Sequence, residues 1–169
     1  MAANMYMIPM KRSAGVWVST IGTLLTILFV GVFLYFFENA GWLPVVVVLI
    51  FVPLMVVTWL QAPQTLMIDR NALTIGRRMN PVEISLGDIV RVERVESKVV
   101  RRAIRKMGNG GVWAYTGRYY HSSVGNYQLY ATELRDLLLI ETTKTKYVIS
   151  SVDTHLYRML RDSIKPSAV

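Results

Sequence analysis

Two unbroken apolar runs open the chain and give way, after Pro63, to short segments that alternate apolar and polar residues. Residues 13–37 carry no charge, and "VWVSTIGTLLTILFVGVFLYFF" is almost wholly apolar. A second uncharged run, "GWLPVVVVLIFVPLMVVTWLQ", follows after only Glu38-Asn39-Ala40. A helix needs ~20 such residues to cross a bilayer, and the polar remainder of the chain is too short to bury both runs in one soluble core. The pattern therefore predicts an N-terminal segment over residues 1–14, transmembrane helices over 15–37 and 42–60 joined by an external turn at 38–41, and a polar domain over 61–169. A cleaved signal peptide is the competing reading of the first run, but its apolar stretch exceeds the ~7–15 residues of a signal core.

Beyond Pro63 the period falls to two. "TLMI" and "LTI" flank Asp69-Arg70-Asn71-Ala72, which predicts a hairpin. "VEISLGDIVRVERV" alternates over much of its length, placing Ile84 with Leu86 on one face and then Val90 with Val92. "GRYY", "NYQLYAT", "DLLLIET" and "TKYVIS" are further strands, separated by Gly, Asn or Thr-Lys. Ser150-Ser151-Val152-Asp153 has capping-box form, and Val152, Leu156, Met159, Leu160 and Ile164 mark one apolar face of a final helix that Pro166 ends. Such a helix buries its face most simply by plugging the open end of an antiparallel barrel.

About seven strands followed by one helix is the order of the pleckstrin-homology (PH) superfold. "EISLGDIVRVE" and "KYVISSVDTHLYRMLRDSI" resemble bacterial PH-like families, in which an I-x-L-x-D-I-x-x-V segment lies on the early strands and Y-x-I-S-x-x-D leads into the last helix. Two transmembrane helices before such a domain also resemble a common bacterial arrangement. The resemblance covers roughly residues 61–165 and implies a two-helix transmembrane hairpin followed by a mainly-β PH-like barrel capped by a C-terminal helix. It implies a fold far better than a ligand. Phosphoinositide-binding PH domains carry a Lys and Arg motif across their first two strands, and Asp69-Arg70 and Arg77-Arg78 do not match it clearly.

The net charge is +8. Lys11, Arg12 and Glu38 are the only charges before residue 61, so nearly all of the excess falls on the polar domain and points to an anionic neighbour. Lys98, Arg101, Arg102, Arg105 and Lys106 form a run without an acid. They are the candidate contacts for anionic lipid or a small anionic ligand; a solvated face obeying the positive-inside bias is the equal alternative. Cations flank both apolar runs on their outer sides (Lys11 and Arg12 before, Arg70, Arg77 and Arg78 after) and are missing from the turn between them, which places both termini in the cytoplasm and the protein in the inner membrane. Trp17, Tyr35, Trp42 and Trp59 lie near the span ends, where amphipathic rings favour the interface.

Gly15, Ser19, Gly22 and Thr26 give the first helix a small-residue face for helix packing, against the second helix or another copy. "GNGG" (residues 108–111) lacks the strand-before, helix-after context of a nucleotide loop and is expected to be a hairpin turn; Gly117 and Gly125 are expected to mark bends. Trp113, Tyr115, Tyr119 and Tyr120 among cations have the composition of a base-stacking surface, but no nucleic-acid-binding pattern accompanies them and no nucleic-acid partner is expected. With no cysteine and no metal-ligand cluster, no cofactor or metal is expected. His121 beside Ser122 and Ser123, and Asp88, Glu93 and Glu96 beside Arg91 and Arg94, lack the surroundings of a catalytic site. The expectation is a non-catalytic, membrane-anchored binding or assembly module, self-associating or docking a membrane protein partner at the anionic inner leaflet. An anionic-lipid or small-anion sensor is the first alternative, and an oligomeric pore or transport-associated subunit the last.

Overall fold

The computed structural model describes residues 6–37, 41–150 and 152–163. The expected turn at 38–41 falls mostly outside them, as do Ser151, Ile164 and Pro166. The two apolar runs form helices α1 (Ala14–Phe37) and α2 (Leu43–Gln61). Pro44 stands in the first turn of α2, where its missing N–H costs nothing, and the helix continues through Pro53. At 1.5 Å per residue the helices are ~36 and ~28 Å long. No residue of α2 is buried, and large apolar side chains of both helices stand open, Leu25 and Phe29 of α1 and Leu49 and Ile50 of α2 among them. Both are long and apolar enough to cross a membrane.

Four strands form the first sheet: β1 (Tyr6–Pro9), β2 (Pro63–Ile68), β3 (Ala72–Arg77) and β4 (Val82–Ser85), antiparallel and in that order. The second sheet has six: β5 (Ile89–Val95), β6 (Ile104–Gly110), β7 (Tyr115–His121), β8 (Gly125–Ala131), β9 (Leu137–Thr142) and β10 (Lys146–Ile149). Their order is β5-β9-β10-β8-β7-β6. One-turn helix α3 (Ser97–Arg101) joins β5 to β6, and α4 (Thr154–Ser163) ends the described chain. The expected hairpin is present, with Ile68 opposite Leu73.

The architecture departs from expectation in number and direction of strands. Ten strands lie among the described residues rather than about seven, and β10 runs parallel to β8 while pairing antiparallel with β9. The extra first strand lies within residues 1–14, ahead of both long helices, and pairs with β2, which follows them.

A principal core fills the space between the sheets. Leu66, Leu73, Ile75, Ile84, Leu138, Ile140 and Ile149 meet there, and Leu156 and Leu160 of α4 close it. A second cluster, including Val100, Tyr127, Leu129, Leu137, Leu139 and Val148, lies apart from it. Successive residues of β9 therefore serve different clusters, which is why "LLLI" is apolar at every position.

The I-x-L-x-D-I-x-x-V segment is the passage between sheets. Ile84 ends its burial in β4, Leu86–Asp88 make a 3-10 turn, and Ile89 and Val92 re-enter the core from β5. A register shift between Ile89 and Arg91 inserts Val90 as an extra residue and leaves it 57% exposed. The inward pair is thus Ile89 and Val92, not Val90 and Val92, because a bulge breaks the two-residue period.

The Y-x-I-S-x-x-D segment also acquires physical roles. Ser150 is buried, and its Oγ accepts from the backbone N–H of Thr132 (2.9 Å). Asp153, not Ser150, caps α4: its carboxylate accepts from the Leu156 N–H at 2.7 Å and from the Tyr6 hydroxyl at 2.8 Å. Burial alone would raise the Asp153 pKa; the bonds from Leu156 and Tyr6, with His155 nearby, outweigh it and hold the carboxyl below its ordinary value.

Candidate functional site

Helices and barrel are joined by a dense joint at the start of α1. The Met10 N–H donates to the Gln64 carbonyl (2.7 Å), the Thr132 hydroxyl to the Lys11 carbonyl (2.8 Å), and the Ser13 N–H to the Thr132 carbonyl (3.1 Å). Ser13 then caps α1 by accepting from the Val16 N–H at 3.3 Å. Val16 and Thr20, each 1% exposed, are buried although they lie on an otherwise open helix. At the other strand of the joint only Ala62, fully buried, separates α2 from β2.

The glycine-rich stretch supplies the cover. Residues 110–115 turn the β6–β7 hairpin back against α1. The Asn109 side chain accepts from the Val112 N–H (3.0 Å) and donates to the Val112 carbonyl; the Gly111 N–H donates to the Ala114 carbonyl (3.2 Å). Trp113 sits in the left-handed region, φ +63°, and its backbone N–H donates to Thr20 Oγ1 at 2.8 Å. Behind the turn, Gly108 (φ +124°) and Gly117 (φ +131°) face each other across the strands. A Cβ on either would overlap the opposite backbone, so the hairpin can bend there only with glycine at both positions.

Around this turn lies a cluster of cations and rings. The Arg12 guanidinium stands 5.8 Å from the ring centres of both Trp17 and Trp113, and the two indoles meet edge to face. Arg78 covers Trp59 near the end of α2 at 3.8 Å. Burial, with the charge of Arg78 second, lowers the Arg12 pKa. The ion pairs among the described residues are Arg91–Glu93 and Lys146–Glu141, so neither Arg12 nor Arg78 has an acidic partner there. Trp59 and Trp113 together close one end of an apolar groove of about 330 Å³ between α1 and α2, with Leu24, Ile27, Val52 and Met55 on its walls.

The basic run divides. Lys98 and Arg101 lie on α3, Arg102 caps its end, and Arg105 and Lys106 lie on β6, all five exposed. Arg101 lines a cleft with Ser13, Gly15 and Tyr115; Arg105 reaches a groove shared with Thr58 and Gln61 of α2. Lys106 turns elsewhere, over the Tyr120 ring at 5.4 Å and into a groove of about 730 Å³ with Arg118, Asn126, Gln128, Lys144 and Lys146. Of the small face on α1, Gly15 lines the cleft of Arg101 and Tyr115, whereas Ser19, Gly22 and Thr26 line an open groove beside Val47 and Phe51 of α2.

Among the described residues no triad geometry surrounds the histidines. His121 Nδ1 meets Ser123 Oγ at 2.8 Å and the Ser123 N–H at 3.3 Å, a local turn, and His155 packs on Tyr6. Among the described residues no group of His, Asp or Glu is arranged to hold a metal. Glu93 pairs with Arg91 along its own strand.

Residues 64–161, a span that takes in both motif segments and most of the closing helix, match the family described as Bacterial PH domain. The chain belongs to that family. No curated protein and no solved structure is similar enough to match it.

Reading the residues alone missed β1, Arg12, Arg78 and the Thr20–Trp113 contact as parts of one site. A cation on each side of the paired apolar runs, with three tryptophans, was the available signal. Its convergence depends on β1–β2 pairing across more than fifty intervening residues.

Proposed function

We propose that the chain is a non-catalytic, membrane-anchored docking module. The two long helices cross the cytoplasmic membrane, both termini lie in the cytoplasm, and the barrel holds a protein partner, another copy included, at the inner leaflet. The carrying observation is the pairing of β1, ahead of the helices, with β2, behind them. The chain leaves the barrel, runs out and back, and re-enters the same sheet, so anchor and barrel form one body rather than a domain on a tether. Beyond Thr20, α1 has 17 residues left, ~25 Å, close to the ~28 Å of α2 and to the ~30 Å hydrocarbon core.

A barrel fixed in this pose turns the Lys106–Lys146 groove away from the leaflet. The β7–β8 and β9–β10 turns lie at the strand ends opposite the Thr20–Trp113 joint. Bacterial PH domains serve generally in binding rather than catalysis, and four cations against Glu141 suit this groove to an acidic partner surface. Lipid sensing is the second reading, favoured by the position of Arg101 and Arg105 beside the helix ends. A pore is disfavoured because the hydroxyls of Thr20, Thr23, Thr26 and Thr58 donate to carbonyls of their own helices.

The test places a photo-crosslinking residue at Arg118, Asn126 or Lys144 of the full chain in its native membrane. A docking module gives discrete adducts, at twice the chain mass if the partner is a copy. No adduct at any of the three positions, in chains that fractionate with the membrane, would refute it.

A further inference from the structure

We propose that the Arg12–Arg78 cluster and the apolar groove beside it form a built site for one anionic phospholipid, its phosphate between the two guanidiniums and an acyl chain along α1 and α2. The proposal rests on the membrane-anchored reading above and adds a ligand and a place. Three observations converge on it. First, two guanidiniums from opposite ends of the helical hairpin are brought to one level, each against a tryptophan that lines the same groove. Second, neither has an acidic partner among the described residues; Arg12 is half-buried with the charge of Arg78 near it, and Arg78 is exposed with the Gln64 amide and the Trp59 ring against it, so an anion between the two would relieve their repulsion. Third, the groove is nearly free of polar surface and opens between the helices, where in a bilayer an acyl chain of the surrounding lipid lies at hand to fill it.

The chemistry selects the class of ligand. Guanidinium forks match phosphate oxygens in a bidentate manner. A zwitterionic headgroup brings its own ammonium to a site that already holds two cations, so a net-negative headgroup is preferred. The apolar groove distinguishes a lipid from free phosphate, which has nothing to place there. The cleft around Arg101 shares no lining residue with this groove; the groove that Arg105 reaches adjoins it through Ile27, Phe51 and Met55, but Arg105 lies beside neither Trp59 nor Trp113 there.

The experiment is native mass spectrometry of the full chain released from detergent micelles, titrated in turn with phosphatidylglycerol, phosphatidylcholine and inorganic phosphate. The wild type should retain one phosphatidylglycerol in preference to phosphatidylcholine, and millimolar inorganic phosphate should leave that adduct in place. Arg12→Gln/Arg78→Gln should lose about tenfold or more of the preference, on the scale of two cations beside an anionic surface. Arg78→Gln alone, at an exposed side chain, should lose part of it, and Arg118→Gln/Lys144→Gln, equal in charge but remote, should lose none. Equal retention of the two lipids, an unchanged preference in both Arg78 variants, or an equal loss in the remote pair would overturn the proposal. Displacement by inorganic phosphate would reassign the site to a soluble anion. A chain that stays in solution without detergent would sink the anchored reading itself.

Discussion

Thr20→Val tests the joint between helix and barrel with almost no change of shape. The Thr20 hydroxyl accepts from the Trp113 backbone N–H at 2.8 Å and donates to the Val16 carbonyl at 2.8 Å, in a residue 1% exposed. Valine removes the acceptor and leaves the Trp113 N–H enclosed without a partner, which costs about 1–3 kcal/mol. The Val16 carbonyl keeps its place in the helix ladder, so its loss of a second donor is minor. The added methyl recovers up to about 0.8 kcal/mol of burial, leaving a net loss of about 0.2–2 kcal/mol. For a chain of this size each kcal/mol moves Tm by roughly 2–4 °C, so the midpoint should fall by up to about 8 °C in detergent, read by near-ultraviolet circular dichroism. Thr20→Ser should keep most of the stability because it keeps the acceptor. Thr26→Val is the matched control: its hydroxyl bonds only to the Gly22 carbonyl and lies exposed, so its midpoint should not move. A Thr20→Val midpoint equal to that of Thr26→Val would refute the claim that the glycine-rich turn is fastened to α1.

Other expectations follow from the barrel. Asp153→Ala removes both the α4 cap and the acceptor for Tyr6, and should cost about 1–3 kcal/mol in denaturant titration. Because the Asp153 carboxyl is held below its ordinary value, its stabilisation is complete above the unfolded carboxyl pKa and is lost as pH falls through the lower folded value; Asp153→Asn should flatten that part of the acid profile. Tyr127 has the opposite sign: burial, with Tyr119 second, raises its pKa from 10.0 to about 12. The associated stability is present below pH 10 and declines as pH rises toward about 12. Its hydroxyl is buried without a partner, so Tyr127→Phe should stabilise at neutral pH by up to about 1 kcal/mol and remove this alkaline loss. Gly117→Ala drives a Cβ into the Met107 carbonyl at a positive φ and should cost well over 1 kcal/mol or prevent folding, measured by yield and thermal midpoint.

What the chain reveals by inspection is what local periodicity encodes. The long helices, the Ile68–Leu73 hairpin and the apolar face of α4 all follow from patterns within one element. The parallel β8–β10 pairing does not, because β9 must lie between them in sequence and outside them in space. Val90 misleads because a single inserted residue inverts the alternation around it. The candidate site was legible only in pieces. Five consecutive-looking cations resemble one patch, but the end of α3 and the start of β6 send Arg101, Arg105 and Lys106 to three separate clefts. Trp113 looks like an ordinary strand aromatic until the bend at Gly108 and Gly117 delivers it to α1.

The central claim is that the two apolar helices span a bilayer and return the chain to the barrel that contains its own first strand. The absence of cysteine makes single-cysteine labelling direct. Lys11→Cys, Gly41→Cys and Lys144→Cys would each be exposed to an impermeant maleimide in sealed cells and in inverted membrane vesicles. The account predicts labelling of position 41 only from outside, and of positions 11 and 144 only in the inverted vesicles. Labelling of position 41 from the same side as position 144, or of 11 and 144 from opposite sides, would contradict it.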